Sequence, residues 1–193
     1  MNRDRITRRG LVLGSLALLS GCSTLSWPIS SANKTYTYIS PQYRRKHVRY
    51  EGYEPPGTIV VNTYERYLYL VEDGGWATRY GVAVGEEGLT FKGEATVGRK
   101  AEWPTWTPTK SMIERKPHLA QYAGGVEGGP HNPLGASALY LYQNGKDTMF
   151  RVHGTNEPWS IGHAVSNGCV RLTNENIVDL YNRVPLGTRV VII

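Results

Sequence analysis

From Thr58 onward the apolar residues fall in short runs and alternations of period two, a pattern that predicts strands, with one helical exception near the C-terminus. Residues 58–63, 66–71 and 76–84 are β-rich, and Glu72-Asp73-Gly74-Gly75 predicts a hairpin between the last two. Tyr67, Tyr69 and Val71 alternate with Leu68 and Leu70, so both faces of that strand are expected to be covered. Further strands are expected over 94–98, 137–142 and 148–153, the last two joined by Asn144-Gly145. Thr173 is a natural N-cap for a helix whose Ile177, Leu180, Tyr181 and Val184 share one face, before Pro185 and Gly187 stop it. A final β run covers 188–193. These elements predict a mainly β domain, a sandwich or barrel with one C-terminal helix and no internal repeat.

The first residues follow other rules. Arg3, Arg5, Arg8 and Arg9 precede an apolar stretch from Leu11 to Leu19 and then Ser20-Gly21-Cys22, the layout of an export signal. The apolar stretch is shorter than the ~20 residues a membrane span needs. Thr7-Arg8-Arg9-Gly10-Leu11-Val12 resembles a twin-arginine signal, and Leu19-Ser20-Gly21-Cys22 resembles a lipobox, in which Cys22 is lipidated and starts the mature chain. Ser23 after it resembles lipoproteins sorted to the outer membrane. The expected location is therefore the periplasm, with a lipid anchor at Cys22. The alternative is an incidental Cys in a discarded peptide. Residues 23–56, rich in Ser, Thr, Pro and Tyr, read as a basic, Tyr-containing tether, and 57–193 as the folded domain.

Composition excludes some classes. With 193 residues, 20% of them charged, and only 2 Cys, the chain is neither compositionally disordered nor a disulfide-stapled miniprotein. Its net charge of +6 suggests nucleic acid until the charge is located. Basic residues outnumber acidic ones four to one in 1–22 and five to two in 23–57, whereas 58–193 holds thirteen of each. The basicity lies outside the expected domain, and no nucleic-acid partner is expected.

Once an export signal is removed, Cys169 is the one cysteine of the domain, in a compartment where thiols are usually paired. It sits in Ser166-Asn167-Gly168-Cys169-Val170-Arg171, with His153-Gly154 16 residues upstream. A lone Cys with a His elsewhere in the fold is the pattern of a nucleophile and its base. An adjacent imidazolium would lower the thiol pKa, and the same ring would then pass a proton to a leaving amine. Gly168 permits a tight turn whose main-chain N–H groups face an oxyanion. Gly154 permits its carbonyl to approach and orient the His153 ring. On spacing alone, a small buried hydrophobe is an equal reading of Cys169.

Asn132-Pro133-Leu134-Gly135, His153-Gly154-Thr155-Asn156 and Ser166 to Leu172 together resemble the L,D-transpeptidase (YkuD) catalytic domain from about Gly57 to Ile193. The resemblance takes in Pro104-Thr105-Trp106-Thr107-Pro108. It implies a YkuD-like β-sandwich or barrel whose Cys takes an acyl group from a peptidoglycan stem peptide and passes it to an amine, forming a 3-3 cross-link or attaching a protein to the wall. An outer-membrane protein is one acceptor it allows. It implies Cys169 as nucleophile, His153 as general base and acid, and Gly154 as the carbonyl that orients the ring. Arg171 would bind a substrate carboxylate, while Ser166, Asn167 and Gly168 shape the turn and, with Arg171, bind the substrate. Asn167 departs from the basic residue that many members carry there. No cofactor is expected, nor a metal: His131, His153, His163 and Cys169 lack the close pairs of structural zinc motifs. His131 and His163 read as loop residues. Trp103 and Trp106 read as packing of a proline-rich loop, with a substrate-facing lid as the alternative. Other readings are a non-catalytic wall-binding lipoprotein, a cysteine peptidase and an L,D-carboxypeptidase.

Overall fold

The computed structural model describes residues 39–193. The expected signal and Cys22, and the first part of the expected tether, lie outside them. Eleven strands occur among the described residues: β1 (Lys46–Arg49), β2 (Ile59–Asn62), β3 (Tyr67–Glu72), β4 (Trp76–Gly81), β5 (Val84–Gly85), β6 (Gly93–Glu102), β7 (Ser137–Gln143), β8 (Lys146–His153), β9 (Ala164–Ser166), β10 (Val170–Arg171) and β11 (Arg189–Ile192). Two α-helices accompany them, α1 (Lys110–Arg115) and α2 (Asn174–Arg183).

Nine strands form one sheet in the order β1-β4-β3-β2-β11-β6-β7-β8-β10, and β5 pairs with β9. The sheet rolls on itself. Just past β4, Ala83 and Arg171 exchange backbone hydrogen bonds of 2.9 and 2.8 Å, so the last strand in the order meets the continuation of the second. This changes the run expected over 76–84: the chain leaves the sheet at Gly81 and resumes as β5, and that break closes the barrel.

Alternation along the strands fills the interior. Ile59, Val61, Leu68, Leu70, Val97, Leu139, Leu141, Val190 and Ile192 point into one cluster, to which α2 adds Ile177 and Leu180 and its C-cap adds Val184. Each such side chain, fully buried, contributes roughly 1.5–3 kcal/mol. The opposite face of β2, β3 and β11 buries Val60, Val71 and Val191 under Tyr50 and Tyr69, so β3 is covered on both faces as its alternation requires.

The tether boundary at 56 is corrected in part. Pro41–Tyr43 form a 3-10 turn, and β1 pairs antiparallel with β4 from Lys46↔Arg79 to Arg49↔Trp76. Tyr43 packs so closely on Gly81 and Gly162 that a Cβ at either glycine would overlap it. Arg45 pairs with Asp179 of α2 at 3.0 Å, and the His47 ring stacks on Trp76. Hydrophobic periodicity is blind to this segment, because ion pairs and aromatic stacking fix it rather than aliphatic burial.

Candidate active site

The β8–β10 register builds the site. These parallel strands place Arg171 beside His153 and Val170 beside Val152, which brings Cys169, one residue before β10, alongside the end of β8. His153 and Cys169 line one small cavity of about 50 Å³, closed by Trp106, Met112, Pro133, Leu134, Ser166, Asn167 and Arg171. The His153 Nδ1–H donates to the Gly154 carbonyl at 2.6 Å, which leaves Nε2 as the ring's acceptor. A side chain on Gly154 would overlap Asn174 Oδ1, so glycine is required there.

The turn before Cys169 is pinned from within. Ser166, 1% exposed, donates from Oγ to the Cys169 carbonyl at 2.5 Å and accepts from the Gly168 N–H at 3.1 Å. Gly168 has φ +124°, and a Cβ there would lie 2.6 Å from the Leu89 carbonyl oxygen. Of the main-chain N–H groups expected to face an oxyanion in this turn, that of Gly168 is taken by Ser166. Asn167 Oδ1 is buried and has no hydrogen-bond partner.

Electrostatics departs from the expected thiolate–imidazolium pair. Burial, with Arg171 adding to it, pushes the His153 pKa down to about 3. Burial also raises the Cys169 thiol, and a hydrogen bond from the Arg151 backbone N–H, with the Arg151 and Arg171 guanidinium charges, offsets this only in part. The resting pair is a neutral thiol beside a neutral imidazole.

Two larger cavities adjoin the small one. A space of about 540 Å³ is bordered by Trp106, Lys116, His118, Glu157, Trp159, His163, Asn167 and Arg171. Another of about 410 Å³ lies beside Lys110, Met112, Arg115, Met149, Phe150, Asn167 and Cys169. Arg171, expected to hold a substrate carboxylate, already donates to Glu157 Oε2 at 2.8 Å. His163 borders the 540 Å³ space, while His131 contributes only its carbonyl, to Asn156 Nδ2 at 3.0 Å. Trp106 faces the site from two of these cavities, whereas Trp103 is exposed.

Residues 56–192 match the model of the L,D-transpeptidase catalytic domain, YkuD. The chain belongs to this family. It is 38% identical to "Probable L,D-transpeptidase ErfK/SrfK" of Escherichia coli K12 over 142 residues, which make up 70% of this chain and 43% of that protein. The chain thus spans less than half the length of that curated relative. It is also 54% identical to a Brucella melitensis protein whose crystal structure is described as a "Probable carnitine operon oxidoreductase caia", with TM-score 0.55, covering 80% of this chain and 96% of that one. An L,D-transpeptidase from Mycobacterium smegmatis shares the fold at 18% identity and TM-score 0.51, over 70% of this chain and 58% of that one.

Two organising residues of this L,D-transpeptidase domain escaped the sequence reading. Asn132, 1% exposed, donates from Nδ2 toward the carbonyls of Pro104, Val126 and Glu127 and accepts from the Leu134 N–H, tying the loop that carries Trp106 to the site. Asn174, the first residue of α2, accepts through Oδ1 from the Ala136 and Thr155 N–H groups, bracing both sides of Gly154. Asn132 stands in a quoted motif, so its position carried a signal; Asn174 reads in sequence only as the start of a helix.

Proposed function

We propose that this chain is an L,D-transpeptidase that acts on peptidoglycan stem peptides through a Cys169 thioester. The observation that carries the reading is the meeting of Cys169 and His153 in one small cavity, with the imidazole tautomer held by Gly154 O. That pairing favours acyl transfer over the oxidoreductase named for the Brucella protein and over a silent wall-binding module.

In this reading Cys169 Sγ attacks the carbonyl of an L-centre followed by a D-residue, while its proton passes to His153 Nε2. The C–N bond breaks, the same proton goes to the departing amine, and the D-residue leaves. An acceptor amine then attacks the thioester and gives a proton to His153. As the C–S bond breaks, that proton returns to Cys169. The acceptor is a diaminopimelate amine, giving a 3-3 cross-link, or the amine of an outer-membrane protein; water would give carboxypeptidase action.

Starting from a neutral pair, the site forms charge only along the reaction coordinate, which spares it an ion pair buried in advance. A substrate carboxylate that reaches Arg171 shares its guanidinium with Glu157. Export to the periplasm and a lipid anchor at Cys22 complete the reading. Cys169→Ala is expected to abolish release of the D-residue from a defined tetrapeptide muropeptide, with circular dichroism unchanged; retained turnover rejects the reading.

A further inference from the structure

One wall of the 540 Å³ cavity is the segment between β8 and β9, which brings Asn156, Glu157, Trp159, Ser160 and His163 to it. Hydrogen bonds within the segment, from Ser160 Oγ to Glu157 O and from Glu157 N–H to Thr155 Oγ1, fix its local shape. Its middle is tied to the site by Glu157 to Arg171 and by Asn156 Nδ2 to the His131 carbonyl, and the first of these is the contact that a substrate carboxylate would share. The far end is held at Gly162, whose N–H donates to the Val82 carbonyl at 3.0 Å and against which the Tyr43 ring packs. Glycine is needed there twice over, for φ +92° and for the approach of that ring. The near end begins at Thr155, whose N–H donates to Asn174 Oδ1. The segment that carries Tyr43 reaches this end too, because Arg45 pairs with Asp179 and Glu175 of α2, the helix that Asn174 begins. Residues 41–49, which precede the family domain, thus clasp both ends of the wall. The two holds are unequal. Partly exposed ion pairs hold weakly, whereas a ring packed directly on backbone leaves no slack.

We infer that Tyr43 is a positioning residue for the stem peptide: by seating Gly162 it fixes the wall formed by residues 156–163 against a peptide bound in the 540 Å³ cavity. This rests on the acyl-transfer reading above. When a substrate carboxylate takes a share of Arg171, the hold of Glu157 on the wall weakens, and the seat at Gly162 carries more of its placement. Loss of the ring lets the Gly162 end of the wall move. The effect falls on binding rather than on chemistry, because the hydrogen bonds that set His153 and Cys169 run through Gly154, Asn174 and Ser166 and not through Gly162.

The test compares the full chain with Tyr43→Ala, Tyr43→Phe and Arg49→Ala, on a defined tetrapeptide muropeptide. Tyr43→Ala should raise KM about tenfold and keep kcat within about twofold of wild type. Amide hydrogen exchange in that variant should quicken over residues 159–163, while β7 and β8 keep their wild-type protection. Tyr43→Phe retains the ring carbons that meet Gly162 and should restore KM. Arg49→Ala loosens the same segment at its other end, on the Gly74 carbonyl and the Trp76 ring, and should lower the melting temperature without raising KM. If Tyr43→Ala does not fold, Tyr43→Leu takes its place with the same expected direction. A wild-type KM on loss of the ring, unchanged exchange over 159–163, or an equal rise in KM in Arg49→Ala would give the segment a purely structural role and overturn the inference, leaving acyl transfer standing. No turnover by the wild-type chain rejects the acyl-transfer reading and the inference with it.

Discussion

His153 and Cys169 hold their protons in an order set by burial. The unfolded imidazole takes a proton below about pH 6.5, whereas the folded one does so only near 3. Between these values the unfolded chain binds more protons, so His153 makes stability fall as pH drops through that window and has no effect above it. Glu72 and Asp179, whose pKa values are lowered despite burial by hydrogen bonds and nearby arginines, also lose stabilising charge on acidification. Substituting His153→Gln removes only the imidazole part. Urea titrations from pH 7 to 4 should show a shallower loss of unfolding free energy in the variant; identical slopes would mean that His153 is not buried neutral. At this scale the sequence was informative about identity and silent about state. Cys169, His153 and Gly154 stand in motifs, but the neutral resting pair follows from burial, which only the packed fold supplies.

At the scale of elements, strands with aliphatic alternation were legible. β2, β3, β7, β8, β11 and α2 fall within two residues of their expected bounds, including the Thr173 cap, whose side chain accepts from Asn176 N. Elements held by other forces were not. α1 is a single capped turn and a half with no buried residue, and β1 is fixed by its pairing with β4, stacking on Trp76 and flanking ion pairs. The break at Gly81 arises because the chain must reach Arg171 and Ala164, partners far along the sequence. Precision in the site comes from the start of α2. Asn174→Ala removes the acceptor for two amides flanking Gly154 and should cost about 1–3 kcal/mol by leaving buried donors unpaired. It should also lower kcat more than it raises KM, because the Gly154 carbonyl that orients His153 loses its brace. Thermal denaturation and steady-state kinetics on the same preparation check both effects; a variant with wild-type kcat would separate the helix from catalysis.

For the whole molecule, the net charge of +6 divides between residues 1–22, the basic stretch 23–57 and residues 58–193, which hold thirteen charges of each sign. The folded part of that basic stretch spends Arg45 on Asp179 and Arg49 on the Gly74 carbonyl and the Trp76 ring, so a share of the charge docks the N-terminal segment. In the proposed reading, delivery rests on lipidation of Cys22. In cells, Cys22→Ser should move the protein from the membrane fraction to the soluble fraction; equal membrane recovery would reject lipidation as the anchor. The central claim is the acyl transfer itself, and it is tested most directly by mass spectrometry of the products that the wild-type chain makes from a defined tetrapeptide muropeptide. The account predicts loss of one terminal D-residue with a cross-linked dimer or an acyl-transfer product, all absent with Cys169→Ala. An intact muropeptide, or the same products from the alanine variant, would contradict it.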